Sequence, residues 1–254
     1  MAIEIAGATD VGRKRDHNED ALMLLPDHGA AVVCDGMGGH EAGEVASGIG
    51  VETFKRFFEI AKDPNATWPF RYAKDLDEPS NLLTVAAQWA NQRIRDAAGE
   101  DTGKKRGMGT TYVGLLVRGP GAWFAWVGDS RGYHFRKGKL TATTSDHSLL
   151  NELIKTGRMT EQDIANFQHK NIITRALGMA DDTQVDVNKV ELEPEDVCLV
   201  CCDGLTGMLT EDDIARILGE EPNLESASRK LIEAANAAGG VDNITVVLAR
   251  WKPD

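Results

Sequence analysis

Short apolar runs bounded by turn residues recur along the chain and predict strands over residues 3–9, 21–25, 30–34, 112–117, 122–127, 133–136, 140–144, 184–190, 197–202 and 244–251. Turn chemistry separates several of them, as in Pro26-Asp27-His28-Gly29, Arg118-Gly119-Pro120-Gly121 and Lys137-Gly138-Lys139. Two longer segments switch to helical spacing. Residues 41–61 repeat Val45, Ile49, Phe54 and Phe57/Phe58, and residues 81–98 repeat Leu82, Val85/Ala86, Trp89 and Ala97 after a Pro79-Ser80 start. Near the end, Thr210-Glu211-Asp212-Asp213 opens a short helix in the manner of a capping box, and residues 224–238 predict another that stops at Gly239-Gly240. The order is strands, helix pair, strands, helix pair, strand. Two strand layers covered by helix pairs would bury all these apolar faces, so the fold class is α+β, organised as one domain over 1–254.

Two stretches fall outside the pattern. Residues 146–172 hold helix-like pieces at 149–156 and 160–163 with little apolar periodicity, and are read as a surface flap. Residues 62–79 form a long connection carrying Trp68, Phe70 and Tyr72, expected as a packed surface loop rather than a lid.

Composition narrows the function classes. The 254 residues are 42% apolar and 27% charged, ordinary for a globular enzyme with a sizeable core. No run approaches the ~18 apolar residues of a membrane span, and the N-terminus lacks an apolar secretion segment with a cleavage site. The four cysteines, three of them in the run Val197-Cys198-Leu199-Val200-Cys201-Cys202, do not read as a disulfide framework, and a cytoplasmic location is expected. The net charge of −12 argues against nucleic-acid or anionic-membrane partners and suits a protein that gathers cations. A monomer is expected.

The candidate chemistry lies where aspartates meet strand ends. Three predicted strands run straight into Asp35, Asp129 and Asp203, and two others begin just after Glu19-Asp20 and Asp242-Asn243. In an antiparallel hairpin turning at Asp27-His28, Asp20 falls opposite Asp35; one turning at Gly119-Pro120 sets Thr110 opposite Asp129. Asp203 and Asp242 would meet if their strands are neighbours. Carboxylates gathered in this way raise one another's pKa, and hard divalent cations such as Mg2+ or Mn2+ relieve the repulsion. Gly36 lets the backbone approach closely enough for its carbonyl to serve as a further ligand. Arg15, four residues before Glu19, could clamp a phosphate or simply be a solvated charge in Arg13-Lys14-Arg15.

With these residues in view the chain resembles the metal-dependent (type 2C, PPM) protein phosphatases, especially the small bacterial members. The matching blocks are Arg15-Asp16-His17-Asn18-Glu19-Asp20, Asp35-Gly36-Met37-Gly38-Gly39-His40, Gly109-Thr110-Thr111 and Val127-Gly128-Asp129-Ser130-Arg131-Gly132-Tyr133. They continue with Ser145-Asp146-His147-Ser148, Ile173-Thr174-Arg175-Ala176-Leu177-Gly178, Cys202-Asp203-Gly204-Leu205 and Asp242-Asn243-Ile244-Thr245. The resemblance implies a four-layer αββα sandwich, with two packed antiparallel sheets flanked by pairs of helices. It also implies hydrolysis of phosphoserine and phosphothreonine in proteins, by attack of a metal-bridging water on phosphorus. Carried over, Asp35 would bridge two Mn2+ or Mg2+ ions, and Asp203 and Asp242 would complete one site. The Gly36 carbonyl would serve the other, and Glu19 and Asp20 would hold metal-bound waters. Arg15 would bind the substrate phosphate, and Asp129 would hold a weaker third ion shared with Asp203. The implied partners are phosphorylated proteins, a Ser/Thr kinase and its targets among them.

Two positions depart from the family pattern. Met37 stands where animal members carry a His proposed as leaving-group acid, and Cys202 replaces a more usual Ser. His40 is read as structural, and His17 and His147 are unassigned. Two rivals stay open: a non-catalytic phosphopeptide-binding module, and a metal-dependent phosphodiesterase or nuclease. No Cys-x5-Arg signature follows any of the cysteines, which disfavours tyrosine-phosphatase chemistry.

Overall fold

The computed structural model describes residues 2–38, 42–63, 65–99, 107–157, 159, 163–164, 167 and 172–253. His40 and residues 160–162 of the cap expected at 160–163 lie outside the described residues. Among the described residues eleven strands form two sheets: β1 (Ala2–Asp10), β2 (Asp20–Leu25), β3 (Ala30–Met37), β4 (Gly109–Thr110), β5 (Tyr112–Arg118), β6 (Gly121–Val127), β7 (Arg131–Arg136), β8 (Lys139–Ala142), β9 (Asp186–Glu191), β10 (Val197–Cys201) and β11 (Ile244–Lys252). One sheet runs β2-β3-β5-β6-β9 with β4 attached to β3, and the other runs β1-β11-β10-β7-β8. Every pairing is antiparallel.

Helices α1 (Ala42–Ile60) and α2 (Glu78–Gly99) cover the first sheet, and α5 (Glu211–Glu220) and α6 (Leu224–Ala237) cover the second. Two shorter helices, α3 (Leu149–Lys155) and α4 (Asp203–Thr206), lie in the connections. The central strands are buried on both faces, and their alternation sorts side chains between layers. Val32 faces α1 and α2 while Val33 faces the other sheet; Leu199 and Leu248 face α5 and α6 while Val200 and Val247 face the first sheet. Phe54, Phe57, Leu83 and Ile94 fill the first helix–sheet core, each side chain contributing about 1.5–3 kcal/mol of burial free energy. The result is the expected αββα sandwich.

Local chemistry accounts for the element ends. Thr210 and Asp213 form the reciprocal capping box of α5, and Asn223 accepts from the Ser226 amide to start α6. The start of α2 lies three residues earlier than its apolar spacing predicts. Asp77 accepts from the Ser80 amide, and Pro79 needs no N–H in a first turn. The 62–79 connection is packed, as expected. Trp68 meets Phe57 edge-on at 5.2 Å, and buried Asn81 donates to the carbonyls of Ala73, Leu76 and Asp77.

Candidate metal centre

The β2–β3 hairpin pairs Asp20 with Asp35 at its open end, the register its turn predicts. Asp35 is fixed through its backbone. Its N–H donates to Thr111 Oγ1 (2.9 Å), and its carbonyl accepts from the Thr111 N–H and Thr110 Oγ1 (both 2.8 Å). A side chain at Gly36 would drive a Cβ into the Gly43 carbonyl at the start of α1, so only glycine admits the helix this close. Asp20 is held by a one-way relay of donors: Asn18 Nδ2 to Thr9 Oγ1 (2.9 Å), Thr9 to Thr245 Oγ1 (2.7 Å), and Thr245 Oγ1 to Asp20 Oδ2 (2.7 Å). The direction follows from the carboxylate at one end, which can only accept.

The second sheet supplies the other acids. β10 and β11 are neighbours, so Asp203, which opens α4 just beyond β10, and Asp242, just before β11, come to the same end. The Asp203 carboxyl lies near those of Asp35 and Asp242, close enough for mutual electrostatic influence. Asp129 follows Gly128 at the end of β6 and is buried. One pairing differs from expectation. The β5–β6 ladder stops at Tyr112 and Val127; Thr110 keeps the β3 register opposite Gly36, and on its other side it exchanges backbone hydrogen bonds with Leu177 rather than facing Asp129. Thr111 makes the link instead, its Oγ1 lying 2.7 Å from Ser130 Oγ.

Burial, compounded by mutual repulsion, controls the electrostatics. It pushes Asp20 up to about 6 and Asp129 up to about 7, and raises Asp35 well above the ordinary carboxylate range. Asp203 rises for the same reason, next to Asp242. Among the described residues no Lys or Arg hydrogen-bonds to Asp20, Asp35, Asp129 or Asp203. Arg15 Nη2 donates to Asp242 Oδ2 at 2.8 Å, with the Arg15 side chain half-exposed at the rim.

Asn243 organises the loop that carries Arg15 and Glu19. Its Nδ2 donates to the Val11 and His17 carbonyls (both 2.9 Å), and its Oδ1 accepts from the Glu19 N–H (2.8 Å). Sequence reasoning did not single out Thr9, Asn18, Thr111, Asn243 or Thr245 as supports. The available signal was a polar residue within or beside a run otherwise reading as interior, as at Thr245 in its strand and Thr111 just before one, both fully buried.

The donor set fits hard divalent cations: buried and half-buried carboxylate oxygens, with no imidazole among the residues named. Cys202 Sγ lies with the Asp20 and Asp35 oxygens inside 4.8 Å. Its thiol donates to the Asn243 carbonyl and accepts from the Thr245 N–H, and burial raises its pKa far above the usual range, so it packs as a neutral group.

An acidic rim of this kind on an αββα sandwich defines a metal-dependent hydrolase. The family model for protein phosphatase 2C matches residues 11–241. A serine/threonine phosphatase, stp, of Listeria monocytogenes is 37% identical over 94% of this chain and 92% of its own. The S. agalactiae serine/threonine phosphatase structure superposes with a TM-score of 0.84 at 36% identity, covering 98% of this chain and 100% of that one. The catalytic domain of the phosphatase PstP, solved in complex with 2 manganese ions, gives 0.81 at 30% identity over 98% of each chain. The chain belongs to the protein phosphatase 2C family: it is a metal-dependent phosphatase of phosphoserine and phosphothreonine in proteins.

Proposed function

We propose that Asp35, Asp203, Asp242 and the Gly36 carbonyl hold two Mn2+ or Mg2+ ions, with Glu19 and Asp20 acting through ordered waters and Asp129 holding a weaker third ion. The observation that carries this reading is the convergence of acids from both sheets, Asp20 and Asp129 buried and Asp35, Asp203 and Asp242 half-buried, of which Asp242 alone pairs with a basic side chain, Arg15, among the described residues. Bound there, the ions would supply an activated water at neutral pH and offset phosphoryl charge. The protein's own groups orient the rest. The Thr9–Thr245 relay keeps Asp20 an acceptor aimed into the site, and the Thr110 and Thr111 contacts fix the Asp35 backbone. Arg15 spends one donor on Asp242, and its half-exposed guanidinium retains N–H groups for two oxygens of a substrate phosphate.

The substrates are phosphorylated proteins, with a Ser/Thr kinase and its targets as the partners opposed, in a cytoplasmic setting. Among the described residues no helix is long and apolar enough to cross a membrane, and all four cysteines are buried and free. The flap expected at 146–172 on a single domain is part of this proposal; at its described ends the Leu149 N–H donates to the Ile172 carbonyl. The test is phosphate release from matched phosphoserine, phosphothreonine and phosphotyrosine peptides and from a phosphodiester, with Mn2+ or EDTA. Metal-dependent turnover of the first two supports the reading. Preferred turnover of the diester, or binding without turnover, overturns it.

A further inference from the structure

His147 has no role in the chemistry above, yet it is almost completely buried at 4% exposure beside the turn that carries Asp129. Both backbone polar groups of Gly128 go to this one residue. The Gly128 N–H donates to His147 Nδ1 (3.1 Å), and the Gly128 carbonyl accepts from the His147 N–H (2.9 Å). Gly128 has φ +110°, and a Cβ there would lie 2.7 Å from Thr111 Cγ2, so the turn needs both glycine and an outside clamp.

The Gly128 N–H, which can only donate, selects the imidazole tautomer against the longer 3.5 Å approach of Arg175 Nη1 to Nε2. An Nδ1 that accepts leaves the proton on Nε2, which donates to Asp186 Oδ2 at 3.2 Å; Arg175 Nη1 donates to the other oxygen, Asp186 Oδ1, at 3.2 Å. Trp126 stacks on the ring with planes 17° apart, and its Nε1 donates to the Ser145 carbonyl. Burial lowers the imidazole's pKa, in keeping with a neutral ring. The preceding residue, Asp146, takes Arg131 in a two-pronged pair: Nε donates to Oδ1 (2.9 Å) and Nη2 to Oδ2 (2.7 Å). Consecutive residues thus grip the Asp129 turn at both its ends, 128 and 131. The same segment continues into the flap base, where the His147 carbonyl accepts from the Thr174 N–H and Ser148 bridges Ile173.

We propose that His147, acting through Nδ1 and the Gly128 amide, is a positioning residue for Asp129, and that with Asp146 it couples this acid to the base of the 146–172 segment. A buried histidine serving only as packing would act through its ring and its Asp186 contact, whatever Nδ1 does. The inference rests in part on Asp129 serving the third ion.

The two ring nitrogens can be mimicked separately, because an Asn amide reaches the Nδ1 position and a Gln amide reaches the Nε2 position. His147→Asn, His147→Gln and Asp129→Ala are compared with wild type by amide exchange at Gly128 and by the Mn2+ concentration giving half-maximal phosphopeptide turnover. His147→Asn should keep Gly128 protected and stay near wild type in Mn2+ dependence. His147→Gln should lose that protection and need about fivefold more Mn2+, the equivalent of one neutral hydrogen bond. Nitrogen-15 NMR of metal-free wild type should show Nε2 protonated and Nδ1 bare. That spectrum and Gly128 exchange decide the matter even if a variant fails to fold. Protonated Nδ1, an unprotected Gly128 amide in wild type, or His147→Gln matching or surpassing His147→Asn would overturn the proposal. If Asp129→Ala leaves Mn2+ dependence unchanged while Gly128 protection follows the expected order, the third-ion reading fails and the clamp on the turn stands.

Discussion

Replacing Asn243 by Ala should disable the loop of residues 11–19 while leaving the side chain of every proposed metal ligand in the sequence. The native side chain makes three hydrogen bonds, to the carbonyls of Val11 and His17 and from the N–H of Glu19, and is 6% exposed. Each such bond contributes about 1 kcal/mol net, and a buried partner left unpaired costs more. Val11 and Glu19 are only half-buried and His17 is exposed, so water can satisfy part of what is lost. The expected destabilisation is therefore about 2–3 kcal/mol, or about 5–10 °C in Tm for a chain of this size. Arg15 and Glu19 ride on the loop, and displacing a phosphate-binding group should lower kcat/KM on a phosphothreonine peptide about tenfold or more. Scanning calorimetry and steady-state kinetics on one preparation test both parts. A variant within about 1 °C of wild type and with unchanged kcat/KM would show that Asn243 organises nothing.

Two further outcomes are expected. Arg15→Ala should lower kcat/KM at least tenfold, from loss of a charged hydrogen bond of about 1.5–3 kcal/mol, while calorimetric Mn2+ affinity changes little. Collapse of metal affinity would make Arg15 a structural partner of Asp242 instead. In metal-stripped protein the folded state holds protons on Asp20 and Asp129 up to about 6 and about 7, which the unfolded chain releases at the ordinary carboxylate range. Stability from these groups is full below that range and falls as pH rises through 6 to 7; Mn2+ should cancel the fall. Melting curves from pH 5 to 8 with and without Mn2+ would refute this if the stripped protein grew more stable toward pH 8.

Local pattern made much of the architecture legible. Val32 and Val33, or Leu199 and Val200, are apolar on successive positions because each strand is sandwiched, and unbroken apolar runs signal that arrangement. The turn at residues 26–29 has a length that allows only the register found, which places Asp20 against Asp35. The second hairpin misled because its ladder stops at Tyr112 and Val127, beyond which Thr110 bridges Leu177, a contact that no local spacing reports. The supports of the site were illegible for the same reason. Asn243 bonds residues more than 220 positions away, and Thr245 completes a relay begun at Asn18. Nothing in the spacing around Asn243 or His147 reports partners that only the closed sandwich brings near.

The account turns on a divalent centre built from both sheets. Titrating Mn2+ into metal-stripped wild type, Asp35→Asn and Asp203→Asn, with turnover measured on the same samples, tests it most directly. The account predicts two tightly bound ions in wild type. Each variant should stay folded, since the change removes charge with little change in volume, yet lose at least one ion and nearly all turnover. Wild-type stoichiometry with near-normal turnover in either variant would contradict it.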